Sequence, residues 1–218
     1  MKTIIFDLDG TLIDSLTDIA LCANKVLQEL NHPTHEIDDY KNFVGDGAKV
    51  LIENALPENL HKDEVEIGLE KFKELYDRNI YGNTKPYDGI YEMLTSLQAE
   101  NYSLNVLSNK PHKFTVQYIE KLFSDFSFDE VHGQKEQVPK KPDPSGAINI
   151  SKALNIELKD IIYIGDTGTD MKTAVNAGMI PVGVLWGFRD ADELLEHGAK
   201  HLVETPQKLF ELIKKYSS

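Results

Sequence analysis

Four short runs along the chain are apolar at consecutive positions, with β-branched residues prominent: "TIIFDL" at Thr3–Leu8, "SLNVLS" at Ser103–Ser108, "IIYIG" at Ile161–Gly165 and "IPVGVL" at Ile180–Leu185. Weaker runs are "FDEVH" at Phe128–His132 and "KHLVE" at Lys200–Glu204. Strands apolar on both faces belong in a parallel sheet covered by helices. Between these runs the apolar residues recur every three or four positions. "YDGIYEMLTSLQAEN" places Ile90, Met93, Leu94 and Leu97 on one helical face. "KPHKFTVQYIEKLF", "DPSGAINISKALNI" and "GTDMKTAVNAGM" behave alike. "TPQKLFELIKKYSS" offers Thr205 as an N-cap and Pro206 at the first helical position. From Tyr87 onward helix and strand alternate, which predicts an α/β sheet with right-handed crossovers.

The stretch Leu16–Thr84 breaks that alternation. It contains no convincing strand and reads as three amphipathic helices, in "LTDIALCANKVLQEL", "KVLIENAL" and "KDEVEIGLEKFKELYDRNIYG". The first strand is thereby cut off from the rest of its sheet. The pattern predicts an α/β core made of residues 1–15 and 85–218, with a helical insertion over residues 16–84. "NTKPYDG" at Asn83–Gly89 reads as the return hinge, with Pro86 and Gly89 as breakers. There is no internal repeat and no low-complexity tract.

Composition narrows the function. Hydrophobic residues at 41% and charged residues at 27% are ordinary for a soluble globular chain of 218 residues. A formal net charge of −13 argues against nucleic acid as a bulk partner. It leaves room for a small anionic substrate, because one local cation can reverse the field inside a cleft. Cys22 is the single cysteine, so no intrachain disulfide forms, and its helical surroundings suggest a small core residue. No basic leader precedes an apolar run, and no stretch has the length of a membrane span. A cytoplasmic protein without a membrane partner is the expectation. Histidines 32, 35, 61, 112, 132, 197 and 201 are scattered and suggest no metal set. Trp186 and Arg189, in "LWGFRD", suit a core or cleft edge and a solvated charge respectively.

The candidate chemistry sits where strands end. "DLDGT" carries Asp7 and Asp9, two residues apart and therefore on the same side of an extended chain, then Gly10 and Thr11. Ligands of parallel sheets bind outside the carboxyl ends of strands. The second long strand ends in Ser108, Asn109 and Lys110; "KKPDP" supplies Lys140 and Lys141; "GDTGTD" supplies Asp166 and Asp170. Each stretch also has a bland reading. Asp9 or Thr11 caps a helix, Ser108 and Asn109 make a turn, Lys141 is a solvated charge, and "GDTGTD" is a helix start rich in capping residues. Their joint appearance in this order favours one site.

Asp7, Asp9, Asp166 and Asp170 in one cleft need compensation, which a divalent cation provides. The candidate ligands are hard oxygens, which selects Mg²⁺ over zinc. A lysine and a hydroxyl beside such an ion suit the remaining oxygens of a phosphate, so the parts point to phosphoryl transfer on a small phosphorylated metabolite. No P-loop and no Ser–His pair is evident. An aspartate nucleophile is the economical alternative, with a second carboxyl to protonate the leaving oxygen and then activate water.

With "DLDGT", a serine after the second core strand, a lysine in "KPDP" and "GDTGTD" in that order, the chain resembles the haloacid dehalogenase (HAD) superfamily, most of all its phosphoglycolate-phosphatase-like members. The resemblance spans essentially the whole chain. It implies a Rossmann-like core with a helical cap inserted after the first strand. It implies Asp7 as nucleophile, Asp9 as general acid/base whose backbone carbonyl also meets Mg²⁺, Asp166 as a further metal ligand, and Asp170 as a metal residue that ligates through water or holds the site in place. Ser108 and Lys141 would hold phosphate, with Thr11 and Asn109 as supporting donors. "VGDGAKVLI" at Val44–Ile52 resembles the substrate-facing loop of the cap, with Gly45, Gly47 and Lys49 as specificity candidates; a glycine turn that starts a helix and exposes a lysine fits it equally. A phosphosugar mutase, a pyrophosphatase and a nucleotidase stay open on the same scaffold. A phospho-aspartate signalling module uses the same charge arithmetic, but with the acceptor on a middle strand and no helical insertion. Oligomeric state has no signature in the sequence.

Overall fold

A computed structural model describes residues 3–57, 62–79 and 82–217. Six parallel strands form one sheet: β1 (Thr3–Phe6), β4 (Ser103–Pro111), β5 (Glu130–Gln134), β6 (Ile161–Gly165), β7 (Ile180–Val184) and β8 (His201–Val203). Their order in the sheet is β5-β4-β1-β6-β7-β8. β1 lies in the middle, paired with β4 through Thr3↔Ser103 to Phe6↔Val106 and with β6 through Thr3↔Ile161 to Phe6↔Ile164. All four residues of β1 are buried, as its two-sided apolar sequence demands. Ile4 and Phe6 face a layer built from α4 (Ile90–Ala99), α5 (His112–Leu122) and α9 (Pro206–Ser217). Ile5 faces the opposite layer, with Ala147 and Ile150 of α6 (Ser145–Leu154) and Ala174 of α7 (Gly168–Ala177). The two-residue period of a strand thus divides one sequence between two cores.

After β1 the chain steps to β4 and β5 on one side and then to β6, β7 and β8 on the other. The reversal opens a crevice at the carboxyl ends of β1 and β6. Asp7 and Asp166 are the residues that follow these two strands.

A short antiparallel ribbon, β2 (Ile13–Asp14) against β3 (Lys85–Pro86), joins the way out of the sheet to the way back. Between its strands lie α1 (Leu16–Glu29), a 3₁₀ turn at Ile37–Asn42, α2 (Ala48–Ala55) and α3 (Lys62–Asn79), with no strand among the described residues. Asp18, in the first turn of α1, accepts hydrogen bonds from the Asn83 and Thr84 backbone N–H groups, Asn83 Nδ2 and Thr84 Oγ1. Burial pushes its pKa up, but these donors outweigh it and hold the carboxyl below the usual range. One buried acid therefore ties both crossings together.

The strand boundaries depart from the sequence pattern in one consequential place. β4 does not end at Ser108 but runs on to Pro111, with its pairing to β5 shifting between Leu107 and Pro111. Ser108, Asn109 and Lys110 are therefore extended strand residues, not turn residues, and lie where the register to β5 shifts. α8 (Ala191–Glu196) and the ribbon have no counterpart in the hydrophobic pattern because each is too short to show a period. Residues 80–81, the end of the third predicted insertion helix, and His61 lie outside the described residues. Cys22 is buried in α1, as expected.

Candidate active site

Three carboxylates converge in the crevice. Asp7, Asp166 and Asp170 each present an oxygen within 4.8 Å of the others, and all three are buried. Asp7 follows β1 directly. Asp166 opens the loop after β6, and Asp170 stands one turn into α7. Asp166 is fully buried, with Oδ1 accepting from Thr11 Oγ1 at 2.9 Å and Oδ2 from Phe188 N at 2.9 Å. Asp170 Oδ1 accepts from Lys141 Nζ at 2.6 Å and from Tyr163 Oη at 3.2 Å. Its Oδ2 accepts from Thr167 N and Thr167 Oγ1, closing a capping box at the start of α7. The same carboxylate thus caps α7 and joins the acidic cluster.

The approach is close because the backbone allows it. Gly10 has φ +83°, and a Cβ there would lie 2.1 Å from Asp166 Oδ2. A Cβ on Gly187 would lie 2.3 Å from Asp166 Cβ and 2.4 Å from Gly10 O. Both positions need glycine for room, and Gly10 for its dihedral as well.

Electrostatics follow from this crowding. Burial, then the Asp170 charge, raise the Asp7 pKa to about 7, against the opposing pull of Lys141. Burial, Asp170 and Asp7 likewise push Asp166 well above the usual carboxylate range. Burial works against the charge of Lys141, but Asp170 and Asp7 outweigh it and hold the ammonium well above its ordinary pKa. Asp7 Oδ1 is buried without a hydrogen-bond partner, though Lys141 Nζ lies 2.9 Å away as an ion-pair partner. Three buried carboxylates within 4.8 Å of one another, with one lysine against two of them, are a donor set that fits a hard divalent cation.

The side chains expected to hold phosphate divide into two groups. Ser108 is buried, lines the same cavity as Asp7, and accepts from Lys110 N at 3.2 Å, which leaves its own O–H for a ligand. Lys141 reaches Asp7 and Asp170 together. Asn109 is a brace: its Oδ1 accepts from Lys141 N at 2.8 Å, and its Nδ2 donates to the carbonyls of Lys141 and Gly45. Thr11 spends its hydroxyl proton on Asp166. These two polar side chains support the lysine and the acid in place of facing a ligand themselves.

Asp9 stands beside Asp7 on the same cavity, as the two-residue spacing requires. Its Oδ1 accepts from Ser15 Oγ at 2.5 Å and from Lys110 Nζ at 2.9 Å. The cavity holds about 590 Å³, mouth included, and Asp7, Asp9 and Ser108 form its floor. Its walls are mostly apolar and come largely from the helical segment, with Ile19, Val44, Leu51 and Phe72. Gly45, Gly47 and Ala48 complete the rim, in agreement with their place in "VGDGAKVLI". Lys49 does not join them. It is half-exposed and paired with Glu66 on α3, because it lies on the outward face of α2.

Arg189 is not a solvated charge. Its guanidinium donates to the carbonyls of Lys41 and Val44 and pairs with Glu193 at 3.0 Å. Lys140 Nζ donates to Asp46 O, and Thr169 Oγ1 to Asp46 Oδ1. Together with Asn109, these residues of the sheet side grip the loop that carries Gly45 and Gly47. Trp186 donates its indole N–H to Thr11 O at 2.9 Å and so braces the acidic turn. The sequence gives no signal for Tyr163, Phe188 N or Gly187, whose roles come from folding distant segments together. Lys110 was visible only as a neighbour of Ser108.

A parallel α/β sheet with an acid-rich crevice at its switch point and a helical segment over it defines a class of hydrolase. The family model for haloacid dehalogenase-like hydrolases matches residues 4–184. A phosphoglycolate phosphatase of Colwellia psychrerythraea is 32% identical over 224 residues, covering 98% of this chain and 97% of the relative. One of Aquifex aeolicus is 33% identical over 188 residues, covering 86% of each. A solved structure from Lactobacillus delbrueckii subsp. bulgaricus superposes with a TM-score of 0.91 at 32% identity, over 98% of this chain and 99% of that one. The chain belongs to the haloacid dehalogenase-like hydrolases, and it is a phosphatase. No helix among the described residues is long and apolar enough to cross a membrane.

Proposed function

We propose that the protein is a Mg²⁺-dependent phosphoglycolate phosphatase working through an aspartyl phosphate. The observation that carries the chemistry is the meeting of the buried Asp7, Asp166 and Asp170 carboxylates, with Lys141 Nζ 2.9 Å from Asp7 Oδ1. The relatives named phosphoglycolate phosphatase support the substrate. Asp7, Asp166, Asp170 and the Asp9 carbonyl would hold Mg²⁺, which when bound offsets the acids' mutual repulsion and withdraws charge from the phosphoryl oxygens. Asp7 attacks phosphorus, a P–O bond to Asp7 forms, and the bond to the leaving oxygen breaks as Asp9 gives that oxygen its proton. Asp9 then takes a proton from water, the water oxygen attacks phosphorus, and the bond to Asp7 breaks to give inorganic phosphate and the free carboxylate. Lys141 and Ser108 hold phosphate oxygens throughout, and Asn109 and Thr11 keep their neighbours in place.

In this reading residues 16–84 form a cap over a core of residues 1–15 and 85–218, and Gly45 and Gly47 meet the leaving group. The protein acts in the cytoplasm on a small phosphorylated metabolite, without nucleic acid or membrane. The test compares kcat/KM for phosphoglycolate, pyrophosphate, hexose phosphates and nucleoside monophosphates, with Mg²⁺ and with EDTA. Phosphoglycolate leads the series and EDTA abolishes turnover. A larger kcat/KM on another ester, or full activity in EDTA, overturns the assignment. Isomerisation of a hexose phosphate without phosphate release would make it a mutase.

A further inference from the structure

Lys110 plays no part in the reaction as written, yet it is buried more deeply than a lysine without a task should be. Its side chain is 5% exposed. Its ammonium donates to Asp9 Oδ1 at 2.9 Å, to Asp9 Oδ2 at 3.1 Å and to Tyr76 Oη at 2.8 Å. The same nitrogen stands 4.7 Å from the centre of the Tyr76 ring and 5.0 Å from that of Tyr118. Tyr76 belongs to α3 in the helical segment, whereas Lys110 and Tyr118 belong to β4 and α5 of the sheet side. From Tyr76 the contacts continue: Tyr76 Oη to Tyr118 Oη at 2.9 Å, Tyr118 Oη to Thr84 Oγ1 at 3.2 Å, and Thr84 Oγ1 to Asp18 Oδ2 at 2.6 Å. A continuous buried polar chain thus runs from Asp9 across the segment boundary to the clamp at the two crossings.

We propose that Lys110 is a positioning residue which, through Tyr76, makes the placement of the Asp9 carboxyl depend on the docking of the helical segment. The proposal rests on the reading of Asp9 as the acid/base. Lys110 grips both oxygens of Asp9, so it sets the direction of the carboxyl as well as its distance. Tyr76 occupies the third N–H, so withdrawal of α3 leaves a buried ammonium short of a partner and the grip on Asp9 without its outer support. A competing role, receipt of a carboxylate on the substrate, would need an N–H that these three contacts have already taken.

Two variants, Tyr76→Phe and Lys110→Met, test this with two esters. Phosphoglycolate releases an alkoxide that must be protonated as it leaves. p-Nitrophenyl phosphate releases a stable phenolate that needs no acid. The readout is the single-turnover rate of ester cleavage, which excludes the later water attack. Tyr76→Phe slows cleavage of phosphoglycolate by about tenfold and Lys110→Met by about a hundredfold, the scale of a misplaced general acid, with KM little changed. On p-nitrophenyl phosphate both variants stay within about twofold of the parent. Equal losses on both esters overturn the proposal, as does a rise in KM confined to the carboxylated ester, which would mark Lys110 as a substrate receptor. If Lys110→Met does not fold, Tyr76→Phe, which removes one hydroxyl, decides alone. Should the parent cleave p-nitrophenyl phosphate but not phosphoglycolate, the substrate assignment fails, and the best alkyl ester of the panel takes its place in the same comparison.

Discussion

The two walls of the cavity are built on different principles. On the sheet side, Asp7, Ser108, Lys141, Asp166 and Asp170 are buried, and side chain holds side chain: Thr11 on Asp166, Thr167 and Lys141 on Asp170, and Lys141 on Asp7. On the helical side, the loop through Gly45 and Gly47 is held by its backbone. Arg189 takes the carbonyls of Lys41 and Val44, Asn109 that of Gly45, and Lys140 that of Asp46. Most of these holds act on carbonyls, with Thr169 Oγ1 on Asp46 Oδ1 as a side-chain contact beside them, so the grip depends little on which side chains the loop carries. The lesson is a division of labour in which the acidic crevice is fixed by interlocked side chains while the helical wall is held mainly through its backbone.

That contrast can be broken first at its chemical end. Asp7→Asn lowers turnover by at least about 10³-fold, because it removes the proposed nucleophile. Thermal melting without metal shows no loss of stability, since the substitution removes a desolvated carboxylate from a crowd of like charges. A variant that melts much earlier would mean that Asp7 holds the fold together, not the substrate. Next, Lys141→Met leaves Asp7 and Asp170 buried with no cation between them. It costs about 3 kcal/mol or more in denaturant unfolding, and added Mg²⁺ recovers part of that loss. An unchanged midpoint would sink the charge argument.

The helical wall should respond more gently. Arg189→Gln strips donors from two carbonyls of the gripped loop and raises KM for phosphoglycolate by about threefold to tenfold, with kcat changed less. A collapse of kcat with KM intact would put Arg189 in the chemistry. The smallest effect is a pH dependence at the clamp. Asp18 has its folded pKa below the unfolded value, so its contribution to stability is fully present above about pH 4 and is lost as the pH falls through the folded pKa. The stability difference between the parent and Asp18→Asn, measured by denaturant at several pH values, narrows on acidification. A difference that stays constant down through that range contradicts the depressed pKa.

Some of this was legible in the residues and some was not. Asp7 and Asp9 could be placed on one cavity because a strand alternates with period two, and "IIF" marks where that strand is anchored. Asp166 and Asp170 were legible from their place just beyond a strand end, after "IIYIG". Thr11 and Asn109 were legible as members of the site but not in their contacts. A hydroxyl or amide names what it can donate, not what stands within 3 Å of it. For Lys49 two readings stood side by side, a specificity residue and an exposed lysine, and its pairing with Glu66 favours the second; Arg189, read as a solvated charge, turned out to grip a loop. Which charged side chain turns inward depends on the rotation of a helix and the path of a loop relative to a neighbour far away in the chain.

The sequence alone determined the alternation of strands and helices, the long helical interruption after the first strand, and the carboxylates at strand ends, because each is a local property of periodicity and residue chemistry. Only the tertiary structure decided that Lys110 faces Asp9 and Tyr76, that Gly10 and Gly187 make room for Asp166, and that Arg189 holds the helical loop. Those contacts join residues 21 to 156 positions apart. Hydrogen bonds and close packing of that kind act over a few ångströms, and no local pattern records which distant segments will be brought within that reach.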